Sequence, residues 1–356
     1  MIKFITGLLF AMLLQLSLSV NAGDHLKLYK ANNAYLQYVG RIDFSNPLKP
    51  RMWAAGVYIK VHFKGEKCEL LINDEVQYGK IHNYLEIAVD NNKPYRIQTT
   101  GKTNVITVAE GLTNGEHTIV ICKDTESHMG YIDFVGIRCH QLLPPPAKPK
   151  HKIEYIGDSI TSGASMDVSA TPCGKGQWYD QHNAYMSYGP RTSRNLDAQW
   201  QLTSVSGIGL AHSCCDMSIS MPLVFDKVYL RADSLAWDFR RYQPDVVTVC
   251  LGQNDGMQDS ILYCDVYLKF IKTLRQKYPD ANIVCLSSPM ADEKLNGALQ
   301  RYLTAITEQA NTSDKKVSKY FFTKRYYQGC GQHPDMKEHQ FIADELTAYL
   351  KQLKDW

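Results

Sequence analysis

Beyond its first two dozen residues the chain has no apolar run near the ~20 residues a helix needs to cross a bilayer, so no membrane span is expected there. It has no basic stripe interleaved with aromatics, which argues against a nucleic-acid partner. The 39 Lys+Arg against 36 Asp+Glu leave only +3, or one less if Lys3 is removed with a leader. The partner is therefore expected to be uncharged. His212-Ser213-Cys214-Cys215 lacks a second ligand pair at finger-like spacing, so no metal is expected. Internal repeats and low-complexity tracts are missing, and the 14 prolines and 23 glycines follow no period, which excludes a collagen-like rod. What remains is a 356-residue chain that is 44% hydrophobic, too apolar for a disordered polymer. At roughly 150 residues per domain it predicts two domains, each able to bury its own core.

Residues 1–22 read as a signal peptide: Lys3, then the apolar run Phe4 to Val20, then Val20-Asn21-Ala22 as a cleavage site. No cysteine lies near that site, so a lipid anchor is not expected, and the mature protein should be periplasmic or secreted. The 10 cysteines are then in a disulfide-permissive setting. Cys122 with Cys139, and Cys214 or Cys215 with Cys330, are candidate bridges. Cys250 and Cys285 sit in apolar runs and read as buried thiols.

Residues 23–141 are rich in period-two segments. Val57, Ile59, Val61 and Phe63 alternate with Tyr58, Lys60 and His62, and Cys68 to Ile72 is a further strand. Turn formers such as Asp90-Asn91-Asn92 and Asn114-Gly115 punctuate them. This pattern predicts an all-β sandwich, with a jelly roll as one form. Residues 142–150, LLPPPAKPK, predict an extended linker. In residues 151–356 strand-like runs at 153–156, 202–205, 246–251 and 283–286 alternate with helical stretches. The last helix carries Ile342, Leu346, Tyr349, Leu350 and Leu353 on one face. Alternation predicts an α/β/α domain on a parallel sheet, with its site at the carboxyl ends of the strands.

Four segments in that domain supply chemistry. Gly157-Asp158-Ser159 puts a hydroxyl after the first strand, near the amino end of a helix that would favour negative charge. Taken alone, Ser159 reads better as a helix cap. Ser206-Gly207-Ile208-Gly209 offers backbone N–H groups, Gly252-Gln253-Asn254-Asp255 a side-chain amide, and Gly331-Gln332-His333-Pro334 an imidazole. Separately these are a loop, a turn and a structural histidine. Together they are a nucleophile, oxyanion donors and a base, the equipment of acyl transfer.

In those four blocks, over residues 152–353, the chain resembles the SGNH (GDSL) hydrolase superfamily. With Gly40-Arg41-Ile42-Asp43-Phe44 and the strand-rich segment ahead of them, it resembles carbohydrate esterase family 2, of the acetyl xylan esterase type. The resemblance implies an enzyme: a carbohydrate O-acetyl esterase acting on hemicellulose (xylan or glucomannan) through a serine acyl-enzyme, with acetylated polysaccharide or oligosaccharide as its partner and no cofactor. It implies Ser159 as nucleophile, His333 as general base, and an oxyanion hole of the Ser159 and Gly207 N–H groups with Asn254. The superfamily's aspartate three residues before the histidine is Cys330 here, which implies a Ser–His dyad oriented by a backbone carbonyl. Asp335 is expected at the helix start, and Asp158 and Asp255 in the turns. Other acetylated glycans or short acyl esters, and a glycan-binding protein with an inactive hydrolase domain, are the alternatives. Trp178, Tyr179, Trp237 and Tyr263 are candidate sugar-stacking aromatics, but packing explains such residues more often than stacking does.

Overall fold

The computed structural model describes residues 25–231 and 235–356. The leader and its cleavage site lie outside the described residues. The amino-terminal part is antiparallel throughout, in ten strands: β1 (Lys27–Lys30), β2 (Gln37–Val39), β3 (Ile42–Asp43), β4 (Arg51–Met52), β5 (Tyr58–Asp74), β6 (Tyr84–Val89), β7 (Tyr95–Gln98), β8 (Thr103–Ala109), β9 (Glu116–Lys123) and β10 (Ile132–Leu142). Two predicted strands, Val57–Phe63 and Cys68–Ile72, are one. Gly65 has φ +122°, and a Cβ there would lie 2.7 Å from His140 Cβ. The glycine lets β5 continue through a bend. The first half of β5 pairs with β9 and the second half with β8, while β10 lies along the second half and reaches past the bend. Ile59, Val61 and Phe63 point into the core between these layers.

The carboxyl-terminal part is a five-stranded parallel sheet: β11 (His151–Gly157), β12 (Ala198–Ser204), β13 (Val246–Cys250), β14 (Asn282–Leu286) and β15 (Val317–Tyr320), in the order β12-β11-β13-β14-β15. The edge strand β15 has no counterpart among the predicted strands, because Val-Ser-Lys-Tyr is too short and polar to stand out. The helices are α1 (Ser159–Ser162), α2 (Tyr188–Asn195), α3 (Met221–Val224), α4 (Ser260–Lys277), α5 (Glu293–Ala310) and α6 (Met336–Lys354). Tyr188 of α2 and Ile342, Leu346 and Leu350 of α6 cover one face of the sheet. Tyr263, Tyr267 and Phe270 of α4 and Leu299 and Leu303 of α5 cover the other. No helix among the described residues is long and apolar enough to cross a membrane.

The two parts share a core. Tyr58 of β5 stacks on Trp200 of β12 at 4.0 Å, and the Trp200 Nε1–H donates to Gly56 O. Arg41 reaches from the antiparallel part into the parallel sheet and pairs with Glu154 at 3.0 Å, both side chains fully buried. Its remaining N–H groups donate to Thr203 Oγ1 and to the carbonyls of Phe225 and Lys227. The proline-rich segment lies along this surface, its carbonyls at Pro146 and Pro149 accepting from Gln37 and Gln199.

Candidate active site

The chain runs from β11 outward to β12 and then returns across β11 to β13. Loops leaving β11 in opposite directions open a crevice at the carboxyl ends of these strands, the usual ligand position in an open α/β sheet. The register sets Gly157 beside Ser204 on one side and Cys250 on the other. The Ser159, Gly207 and Asn254 loops therefore leave three adjacent strand ends.

Ser159 opens the single turn α1, is 7% exposed, and is not the cap. The cap is Asp158, whose Oδ1 accepts the Ile160 N–H at 3.0 Å. A turn this short offers individual N–H groups rather than the dipole of a long helix, which corrects the electrostatic expectation. His333 Nε2 lies 2.9 Å from Ser159 Oγ, across 174 residues of sequence. His333 Nδ1 lies 3.2 Å from Cys330 O. A carbonyl can only accept, so Nδ1 carries the proton and Nε2 accepts the serine O–H. Burial holds the imidazole below its ordinary 6.5, against the opposing pull of the Cys330 and Gly331 carbonyls and the Glu126 charge.

The chain folds back on itself to make this contact. Gly331 and Gln332 both have positive φ, near 60°, which returns His333 over the Cys330 carbonyl. Glu338 of α6 accepts from the N–H groups of Tyr327, Gln328 and Asp335, and Asp335 caps α6 by accepting from Glu338 N–H at 2.7 Å. Asp335 thus faces the helix start.

Neither the Ser159 nor the Gly207 N–H has a protein acceptor among the described residues. Both are therefore free to donate to a ligand. Asp255 holds the Gly207 loop by accepting from the N–H groups of Leu210, Ala211 and His212. The fit is close: a Cβ on Gly209 would lie 1.8 Å from His212 O. Asn254 differs from the expectation of an amide poised over the crevice. Its Nδ2 donates to Ile208 O at 3.0 Å and to Asp158 Oδ2 at 3.2 Å, so both amide hydrogens are engaged at rest. Burial pushes the Asp158 carboxyl up to about 7, against the stabilising Ile160 N–H.

The disulfides differ from those expected. Cys330 pairs with Cys173, their Cα atoms 5.3 Å apart, and Cys214 pairs with its neighbour Cys215. Cys122 and Cys139 are separate buried thiols, as are Cys250 and Cys285. Cys122 faces the core shared with the parallel sheet, whereas Cys139 lies in the core of the antiparallel layers, so they cannot meet. Cys173 lies 157 residues from its partner, in a polar loop with no sequence signal for the pairing. Glu126 was equally hidden: it is fully buried and bonded to Ser206. Of the four aromatics, Tyr179, Trp237 and Tyr263 are buried, while Trp178 is 44% exposed and stacks on His128.

No cluster of His, Cys, Asp and Glu suited to a metal occurs among the described residues. The groups that converge are a hydroxyl, a neutral imidazole and open N–H donors, which is a set suited to ester cleavage.

Comparison with known proteins agrees with that chemistry. Residues 38–146 match the carbohydrate esterase 2 N-terminal family, and residues 155–323 the GDSL-like lipase/acylhydrolase family. The cellulase/esterase CelE of Acetivibrio thermocellus is 32% identical over 91% of this chain, which spans 40% of CelE's length. An acetylxylan esterase / glucomannan deacetylase of Cellvibrio japonicus is 27% identical over 92% of this chain and 91% of its own. A family two carbohydrate esterase from Clostridium thermocellum, solved in complex with cellohexaose, superposes with a TM-score of 0.83 at 30% identity, over 90% of this chain and 99% of that one. With both parts of the chain accounted for in a single relative, this protein belongs to carbohydrate esterase family 2.

Proposed function

We propose that this protein removes acetyl groups from hemicellulose, xylan or glucomannan, through an acyl-enzyme on Ser159. The observation that supports it most directly is the 2.9 Å contact between Ser159 Oγ and His333 Nε2, with the opposite imidazole nitrogen held by a backbone carbonyl. In the first step Ser159 Oγ attacks the acetyl carbonyl carbon while Nε2 takes its proton. The oxyanion accepts the Ser159 and Gly207 N–H groups, and Asn254 turns an amide hydrogen from Asp158 towards it. The imidazolium then protonates the departing sugar oxygen. Water, deprotonated by the same imidazole, releases acetate and restores the serine. Every group in this sequence is a protein group, so the mechanism calls for no cofactor. The division into a leader (residues 1–22), a β-sandwich (23–141), a linker (142–150) and a hydrolase domain (151–356) belongs to the same reading, as does export to the periplasm or medium.

The substrate names come from the Cellvibrio relative, and a carbohydrate occupant from the cellohexaose complex of the Clostridium enzyme. Acetate release from acetylated xylan, acetylated glucomannan and small acetyl esters tests the reading. Faster turnover of the polysaccharides than of the small esters is expected. Hydrolysis confined to small esters would overturn the polysaccharide assignment.

A further inference from the structure

Lys123 ends β9, and with the Asp124-Thr125-Glu126 that follows it would pass for a solvated turn, yet all four residues are 0% exposed. Burying polar groups is costly unless they are hydrogen-bonded, and each of the four residues has partners, with Asp124 Oδ2 the one side-chain polar atom left without any. Lys123 Nζ donates to the carbonyls of Trp53, Thr125 and Glu126 at 2.9, 2.6 and 3.3 Å. Thr125 Oγ1 donates to Asn83 Oδ1. Asp124 Oδ1 accepts the Tyr185 N–H from the loop ahead of α2. Glu126 Oε2 accepts the Ser206 N–H at 2.6 Å, and its Oε1 accepts the Ser206 hydroxyl. The tetrapeptide is thus a plug from the antiparallel part, seated in the loops at the carboxyl end of the parallel sheet.

Ser206 is the residue before Gly207. The far end of the same loop, Leu210 to His212, is gripped by Asp255. The loop is therefore held between two buried carboxylates, one belonging to the hydrolase part and one brought to it from outside. We propose that Glu126 is a positioning residue of the esterase site: its carboxylate fixes the peptide that carries the Gly207 N–H, so that this donor is in place before the oxyanion forms. The inference rests on the reading of Gly207 as an oxyanion donor. A donor contributes fully only when its orientation costs nothing at the moment of reaction. The other anchors of the loop act beyond the Gly207 N–H, with Cys214 N–H on Gly207 O, Asn254 on Ile208 O and Asp255 on Leu210 to His212, so Glu126 is what holds Ser206 on the amino side of that donor. Two imidazoles lie beside the Glu126 carboxylate. His182 Nε2 is 3.5 Å from Oε1, and His128 Nδ1 is 3.8 Å from Oε2. The amino-terminal part is then a working piece of the catalytic site and not only an appended module.

The test compares wild type, Glu126→Ala and Glu126→Gln on p-nitrophenyl acetate and acetylated xylan, with Ser159→Ala alongside and folding followed by circular dichroism. Glu126→Ala should lower kcat by about 10- to 100-fold, the scale of a misplaced reacting group, with KM within about twofold. Glu126→Gln, which keeps one oxygen for two donors, should recover part of the rate. Should Glu126→Ala fail to fold, a several-fold loss of kcat in Glu126→Gln supports the inference and a wild-type kcat overturns it. A folded Glu126→Ala with wild-type kcat overturns it while an inactive Ser159→Ala leaves the esterase reading standing. An active Ser159→Ala overturns both.

Discussion

His333 works from a position that no carboxylate supports directly: Nδ1 bonds to the Cys330 carbonyl, and Asp335 is occupied in capping α6. A carbonyl fixes the tautomer as a carboxylate would, but it adds less stabilisation to the imidazolium. Burial lowers the imidazole pKa further. In the proposed mechanism the neutral ring is the base, so a depressed pKa would keep it competent to lower pH. The acid limb of kcat/KM should therefore fall below the ordinary 6.5. The profile is to be recorded in Asp158→Asn as well, because Asp158 titrates near 7 and its contribution must be separated. An acid limb above 7 in both proteins would contradict the assignment. Asn254→Ala should slow turnover by about 100- to 1,000-fold, the usual loss for one oxyanion donor, with native circular dichroism. Near-full activity would remove Asn254 from the hole.

At the scale of elements, the loop from Gly329 to Asp335 does the positioning. Cys330 N–H donates to Ser165 O, and the Cys173 bridge ties the same residue to the loop beyond α1. The residue whose carbonyl accepts from His333 Nδ1 is thus the residue that is cross-linked. Cys173→Ser should lower kcat about 10-fold or more through a less well oriented imidazole, with KM little changed, and reduction of the wild type should do the same. Wild-type kcat in folded Cys173→Ser would show that the loop needs no such tie. Much of this region was legible in the sequence. The blocks around Ser159, Gly207, Asn254 and His333 each follow a strand or precede a helix; each alone reads as a cap, loop, turn or structural histidine, and it is their order along the chain, with the family resemblance, that singled them out. Cys173 was not legible, because a bridge spanning 157 residues depends on tertiary geometry alone. The engaged state of Asn254 also depends on its neighbour Asp158, which the sequence offers only as a turn residue.

At the scale of the whole molecule, periodicity predicted both layers, antiparallel and parallel, but not how closely they would join. Four consecutive polar residues at 123–126 suggest solvent, and only the fold brings them under the Ser206 loop. Arg41 makes the same point: a charged side chain with no exposure, paired with Glu154 and facing the rings of Phe225, Trp237 and Phe239. Removing one partner of a buried pair strands the other charge. Arg41→Ala should therefore cost about 3 to 5 kcal/mol, measured by denaturant unfolding. A loss under about 1 kcal/mol would mean that the junction contributes little. The central claim remains the pairing of Ser159 with His333 in ester cleavage. Acetate release from acetylated xylan by wild type and by folded Ser159→Ala tests it most directly. The expected result is rapid release by the wild type and background release by the variant; equal rates from the two proteins would contradict it.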